Sequence, residues 1–141
     1  MTGPLASRNP DFERVVRESF ARQSFMTTLG AVLDRVAPGE VDVSVPFADA
    51  LCQQNGFLHA GVLASVADSA CGYAALTLAA PGQDVLAVEF KINLLRPARA
   101  ARFTARARVL RAGKTLTVSR ADVFDDGDAL VATMLSTVIA R

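Results

Sequence analysis

The chain is poor in the residues that build metal centres and disulfide scaffolds: of 141 residues, two are cysteine, one is histidine and none is tryptophan. Cys52 and Cys71 form no CxxC pair, which is too little for a disulfide framework or a zinc site. They read as reduced, mostly buried thiols of a cytoplasmic protein. A single histidine also excludes the usual multi-histidine metal centres, so no metal is expected. Charge of one sign is missing too. Fifteen Lys and Arg face fourteen Asp and Glu, a net charge of +1. Such a balance argues against nucleic acid or an anionic membrane as a main partner, while a local basic patch for a phosphate-bearing small molecule stays open. The first residues lack the apolar stretch of a secretory signal. One later run resembles a membrane span, since Asp68 is the only formal charge from Gly56 to Gln83. It is rich in Ala, Gly and Ser rather than Leu and Ile, and a central Asp costs about 2.5–3.5 kcal/mol on insertion scales. A helix buried inside a soluble protein fits better, and no membrane partner is expected.

What is present suits one domain over residues 1–141, with 51% hydrophobic residues to form a core. Asn9-Pro10-Asp11 reads as a helix start, and Phe12, Val15, Val16 and Phe20 follow at helical spacing, predicting an N-terminal helix over about 10–24. Residues 30–37 and 41–47 flank Pro38-Gly39 as a hairpin. Residues 48–58 read as a loop, followed by a long helix from about His59 to Ala79, stopped by Pro81-Gly82. Four strands are expected over 85–96, 102–111, 115–124 and 129–139. In the first, Leu86, Val88, Phe90, Ile92 and Leu94 oppose Glu89, Lys91 and Asn93. The last three form an antiparallel meander, and 129–139 is apolar on both faces, as a central strand should be. A helix with no polar face must be covered nearly all round, and an antiparallel sheet curled around it does that. The fold class is α+β.

Two features of the long helix carry chemistry. Asp68 lies among alanine, serine and valine, with no Lys or Arg within a helical turn. A carboxylate so placed is paired, hydrogen-bonded or held neutral, and a lone acid in an apolar setting is where shifted pKa values and catalysis tend to be found. The structural alternative is an Asp bonded to neighbouring hydroxyls, or one filling a polar gap at an oligomer contact. The glycine-flanked entry Gly56-Phe57-Leu58-His59-Ala60-Gly61 offers the free N–H groups of a helix start to an oxyanion, or merely eases packing. Ala60 and Asp68 are eight residues apart, about 12 Å along one helix. Chemistry needs contacts of about 3–3.5 Å. If both act on one substrate, they come from two protomers, and the catalytic reading predicts a two-fold dimer with shared sites.

The run Gln53…His59-Ala60-Gly61…Asp68, with Lys91-Ile92-Asn93-Leu94-Leu95-Arg96-Pro97-Ala98 after it, resembles the PaaI-type (phenylacetic acid degradation) hot-dog thioesterases over roughly residues 25–140. The resemblance implies a hot-dog fold, an antiparallel sheet wrapped around the long helix, with the N-terminal helix as an addition. It implies hydrolysis of an acyl-CoA to free acid and CoA by a homodimer or a dimer of dimers, with no cofactor beyond the CoA of the substrate. The Ala60 N–H would bind the thioester oxygen, in a turn that His59 shapes through hydrogen bonds and Gly61 completes. Gln53 would position the water or the thioester. Asp68 of the partner subunit would be nucleophile or general base.

The sequence departs from the pattern at Ala60, where relatives usually have glycine, and at Ala87 and Gly72, where some carry Ser or Thr; Ser65 or Ser69 are the nearby hydroxyls. For CoA the expected contacts are Asn55, Arg96 and Arg99, out of a wider set of cations with Lys91, Arg102 and Lys114. Phe57, Leu58, Val62, Tyr73 and Leu76 are the expected acyl pocket, suited to an apolar group, aromatic or of medium length. Two other readings stand beside hydrolysis: a non-catalytic acyl-CoA-binding module, kept open by the missing hydroxyls, and a hydratase, which an acid five residues before the histidine would mark and which Gln54 and Asn55 do not supply.

Overall fold

The computed structural model describes residues 3–141. In chain order the elements are α1 (Phe12–Arg22), α2 (Ser24–Leu29), β1 (Val32–Ala37), β2 (Glu40–Pro46), a single 3-10 turn (Asp49–Leu51), α3 (Ala60–Leu76), β3 (Val85–Leu94), β4 (Arg102–Ala112), β5 (Leu116–Asp125) and β6 (Leu130–Ala140). The six strands form one antiparallel sheet in the order β1-β2-β4-β5-β6-β3. Helix α3 packs across β2, β4, β5, β6 and β3. This is the hot-dog fold, and β4-β5-β6 is the expected meander.

The N-terminal helix differs from expectation. Asn9 Oδ1 accepts the Asp11 N–H at 2.9 Å, so the helix proper starts at Phe12, and it breaks at Gln23 (ψ 89°) before α2. The break separates two burial tasks. Val16 packs into a small cluster with Leu76 and Ala79, whereas Met26 and Leu29 enter the main core. One straight helix cannot present side chains to both. Gly30, at φ 71°, closes α2 in the left-handed conformation that glycine adopts without penalty.

The hairpin turn is tied to the end of α3. Thr77, wholly buried, accepts the Gly39 N–H at 2.7 Å through its hydroxyl oxygen and donates to Ala74 O at 2.6 Å. Thr77→Val keeps the shape and strands the Gly39 N–H. Chemical denaturation should show a loss of about 1–3 kcal/mol, the cost of a buried unsatisfied donor.

Small residues on α3 let the sheet approach it closely. Val66, Ala67, Ala70, Cys71 and Ala74 are all fully buried. The cover is not complete, however. Gly61 is exposed, and Ala64, Ser65, Asp68 and Gly72 are only half-buried, forming a stripe at helical spacing that the chain's own sheet leaves open. Strand β3 departs from simple alternation as well. A bulge at Val88 shifts the register between Ala87 and Glu89, so Ala87, Phe90, Ile92 and Leu94 share the face of the core residues Val138 and Met134, while Leu86 turns outward opposite Ile139. As the edge strand, β3 keeps Val88 55%, Phe90 45% and Leu94 50% exposed.

Candidate active site

The loop before α3 is closed on itself. The Gln53 N–H donates to Phe57 O at 2.8 Å and the Gly56 N–H to Gln53 O at 3.1 Å, with Gly56 at φ 81° making the turn. The Leu58 N–H donates to Ala98 O and the His59 N–H to Leu51 O, both at 2.9 Å, which pins the loop between the chain before β4 and the 3-10 turn. His59 then caps α3: its Nδ1 accepts the Gly61 N–H at 2.8 Å and its carbonyl accepts the Val62 N–H at 2.9 Å. A Cβ on Gly61 would lie 2.9 Å from His59 Nδ1, so the cap itself requires glycine there. With Nδ1 occupied in holding the turn, His59 acts as a structural cap.

These bonds leave one donor of the first turn over. Among the described residues the Ala60 N–H meets no acceptor. Ala60 is not at positive φ, so alanine fits there without strain. It opens on a cavity of about 470 Å³, which Gln53, Phe57, Leu58, Leu94 and Arg96 also line. The Gln53 side-chain oxygen accepts the Asn55 N–H, which turns the amide N–H2 of Gln53 away from that bond. Of the expected CoA contacts, only Arg96 reaches this cavity; Asn55 and Arg99 are exposed and outside it. Arg102 is committed to Ser44 Oγ at 2.6 Å, and Lys91 to Asn93 at 3.1 Å.

Asp68 lies elsewhere, in a second cavity of about 310 Å³ with Ser69, Gly72, Tyr73, Leu76 and Ala87. Gly72 and Ala87, which bring no hydroxyl, both face it there. The expected acyl lining is therefore divided: Phe57 and Leu58 stand beside Ala60, Tyr73 and Leu76 beside Asp68, and Val62 in a third surface depression with His59 and Gly61. Burial raises the Asp68 carboxyl above the ordinary aspartate range. No ion pair or side-chain hydrogen bond to it exists among the described residues. Burial, together with the charges of Asp68 and Asp122, pushes the Cys71 thiol up to about 12, so it stays protonated and inert. Ser19 and Gln23, from the N-terminal helices, also line the Asp68 cavity. Sequence reasoning missed both, because only the tertiary fold brings residues so far upstream to α3.

A capped helix start with one free N–H, a half-buried carboxylate further along that helix, and a sheet curled about both are the layout of this hot-dog fold. The profile of the thioesterase superfamily matches residues 55–132, and the chain belongs to that family. It is a thioester hydrolase. A thioesterase family protein of Silicibacter pomeroyi is 50% identical, over 92% of this chain and 97% of that one, with a TM-score of 0.88. A thioesterase from Staphylococcus aureus is 25% identical over 84% of this chain and 99% of its own, with a TM-score of 0.81. That protein was crystallised with a glutamine replaced by alanine, and separately with a glutamate replaced by alanine. The PaaI protein of the E. coli phenylacetic acid degradation operon shares the fold, at 22% identity and a TM-score of 0.87 over 96% of both chains.

Proposed function

We propose that the chain hydrolyses acyl-CoA thioesters to free acid and CoA, at sites shared between two protomers. The free Ala60 N–H carries this reading. It is a preorganised donor at a helix N-terminus, opening on a mainly apolar cavity beside a glutamine. There it would hold the thioester oxygen as negative charge develops, with the Gln53 amide orienting the thioester or the water. Arg96 at the rim would meet a CoA phosphate. The carboxylate would be the partner subunit's Asp68. It either attacks the carbonyl carbon to give an acyl-enzyme anhydride that water then opens, or takes a proton from an attacking water. In both routes the C–S bond breaks and CoA leaves as thiolate. The S. aureus thioesterase supports the pairing: the glutamine and glutamate replaced in it are 15 residues apart, as Gln53 and Asp68 are here.

Within one chain the two halves of this site occupy separate cavities. The open stripe on α3 and the apolar edge strand β3 are where a second copy would complete them. The acyl group would then lie against Phe57 and Leu58 of one protomer and near Tyr73 and Leu76 of the other, which suits an apolar group, aromatic or of medium length.

Thiol release from a panel of short, medium, long and aromatic acyl-CoAs tests the reaction. Turnover on at least one member is expected. Saturable binding of the panel without thiol release would instead establish a binding module, the reading that Gly72 and Ala87 favour. Site sharing has its own test. Asp68→Asn and Gln53→Ala, each of low activity alone, should recover about a quarter of the wild-type rate when mixed in equal amounts and allowed to exchange, because half the dimers become mixed and each has one intact site. No recovery after demonstrated exchange would place both residues in one protomer's site.

A further inference from the structure

Gln23 sits at the break between α1 and α2, and the proposed reaction gives it no role. Its backbone is fully engaged: the N–H donates to Phe20 O at 3.0 Å, and the carbonyl accepts Met26 N–H at 3.0 Å and Thr27 N–H at 3.4 Å. The side chain is half-buried and lines the cavity of Asp68. Its Oε1 accepts the hydroxyl of Ser69 at 3.3 Å. Ser69 is buried and next to Asp68 in sequence, so this bond fixes which way the amide faces. The hydroxyls of Tyr73 and Ser19, in the same cavity, lie 3.3 Å apart and share one hydrogen bond. The Gln23 amide N–H2 meets no acceptor among the described residues, in the same cavity as a carboxylate that has no donor among them.

We propose that Gln23 is a positioning residue for Asp68: with Oε1 held by Ser69, its N–H2, which makes no direct hydrogen bond to Asp68, donates to the water that the Asp68 carboxylate holds and works on. The proposal rests on Asp68 being the functional acid. It assigns the N-terminal helices a part in the site as well as in the core. No charge offsets Asp68 from its surroundings. Arg22 at the end of α1 and Asp84 ahead of β3 act on Tyr73. Cys71, also on α3, is held protonated, with Asp122 of β5 contributing. Burial alone acts on Asp68. A neutral donor is then a means of favouring its ionised form.

The test is steady-state kinetics across pH on the full chain, with wild type, Gln23→Met, Gln23→Glu and Asp68→Asn in parallel. Gln23→Met matches the side chain in length and removes the donor. It should lower kcat about tenfold, the size of one lost hydrogen bond to a charged group, with KM changed less than about twofold. The acid limb of its pH profile should move to higher pH, because the water that donates to the ionised carboxylate has lost the group that orients it. Gln23→Glu should move that limb further, since a second carboxylate opposes ionisation of the first. An unmoved acid limb in Gln23→Met would overturn the proposal and leave Gln23 as a residue of the helix break. If Gln23→Met does not fold, Ser69→Ala decides: freeing the amide should shift the limb in the same direction, and no shift overturns the proposal. Wild-type turnover in Asp68→Asn would overturn the reading beneath it, an outcome separate from failure at Gln23.

Discussion

Asp68→Asn is expected to lose about 10³-fold in kcat on every good substrate, with no loss of stability. The magnitude is that of removing a general base or nucleophile whose remaining surroundings still bind and polarise the substrate. The substitution keeps volume and shape, and it exchanges a half-buried, unpartnered carboxylate for a neutral amide. Burial raises the carboxyl of Asp68 with nothing to oppose it, so in the folded state the ionised group is held at a cost. Thermal melting should therefore give an unchanged or higher Tm for the variant. A substitution that abolishes turnover while leaving or raising stability separates a functional acid from a structural one. The pH dependence follows with a definite sign. The working form is the carboxylate, so activity falls as pH drops through its pKa. That limb should lie above the ordinary aspartate value of about 3.9. Full activity in Asp68→Asn, or an acid limb below the ordinary range, would exclude Asp68 as the reacting carboxylate.

The separation of Ala60 from Asp68 was legible from spacing alone, because the rise of a helix is fixed and eight residues cannot be folded back on themselves. The structure extends that point to the surroundings: each residue has its own cavity. The order of elements was legible too, since the 2-residue and 3.6-residue periods differ and Pro-Gly pairs mark their ends. What periodicity hid has local causes. It placed Leu86 and Phe90 on one face, but the bulge at Val88 puts them on opposite faces, because one extra residue inverts everything before it. The continuous helix expected over 10–24 breaks at Gln23 because Val16 and Met26 belong to different clusters, a tertiary demand with no short-range signature. That break also carries Gln23 and Ser19 to the Asp68 cavity, so the same long-range packing that misled the helix assignment hid two polar residues of the site.

Ala60→Pro offers a second large effect. The oxyanion donor assigned here is a backbone N–H, which ordinary side-chain substitutions leave in place. Proline removes it, and this position accepts proline. Ala60 is the first residue of α3, where the proline ring needs no intrahelical bond and its fixed φ suits the helix. His59 before it is extended, at φ −60° and ψ 137°, the conformation that a residue preceding proline prefers. The Ala60 N–H has no acceptor among the described residues, so the fold loses no hydrogen bond, and the His59–Gly61 cap stays intact. The expected result is a fall in kcat of about 10²–10³-fold with little change in Tm, the magnitude of deleting one oxyanion-hole donor. Ala60→Gly keeps the N–H and should retain activity near wild type, which separates loss of the donor from loss of the alanine methyl. If a folded Ala60→Pro turns over at the wild-type rate, the thioester oxygen is held elsewhere. The turn that Gln53, His59 and Gly61 build around Ala60 would then serve only to start the helix.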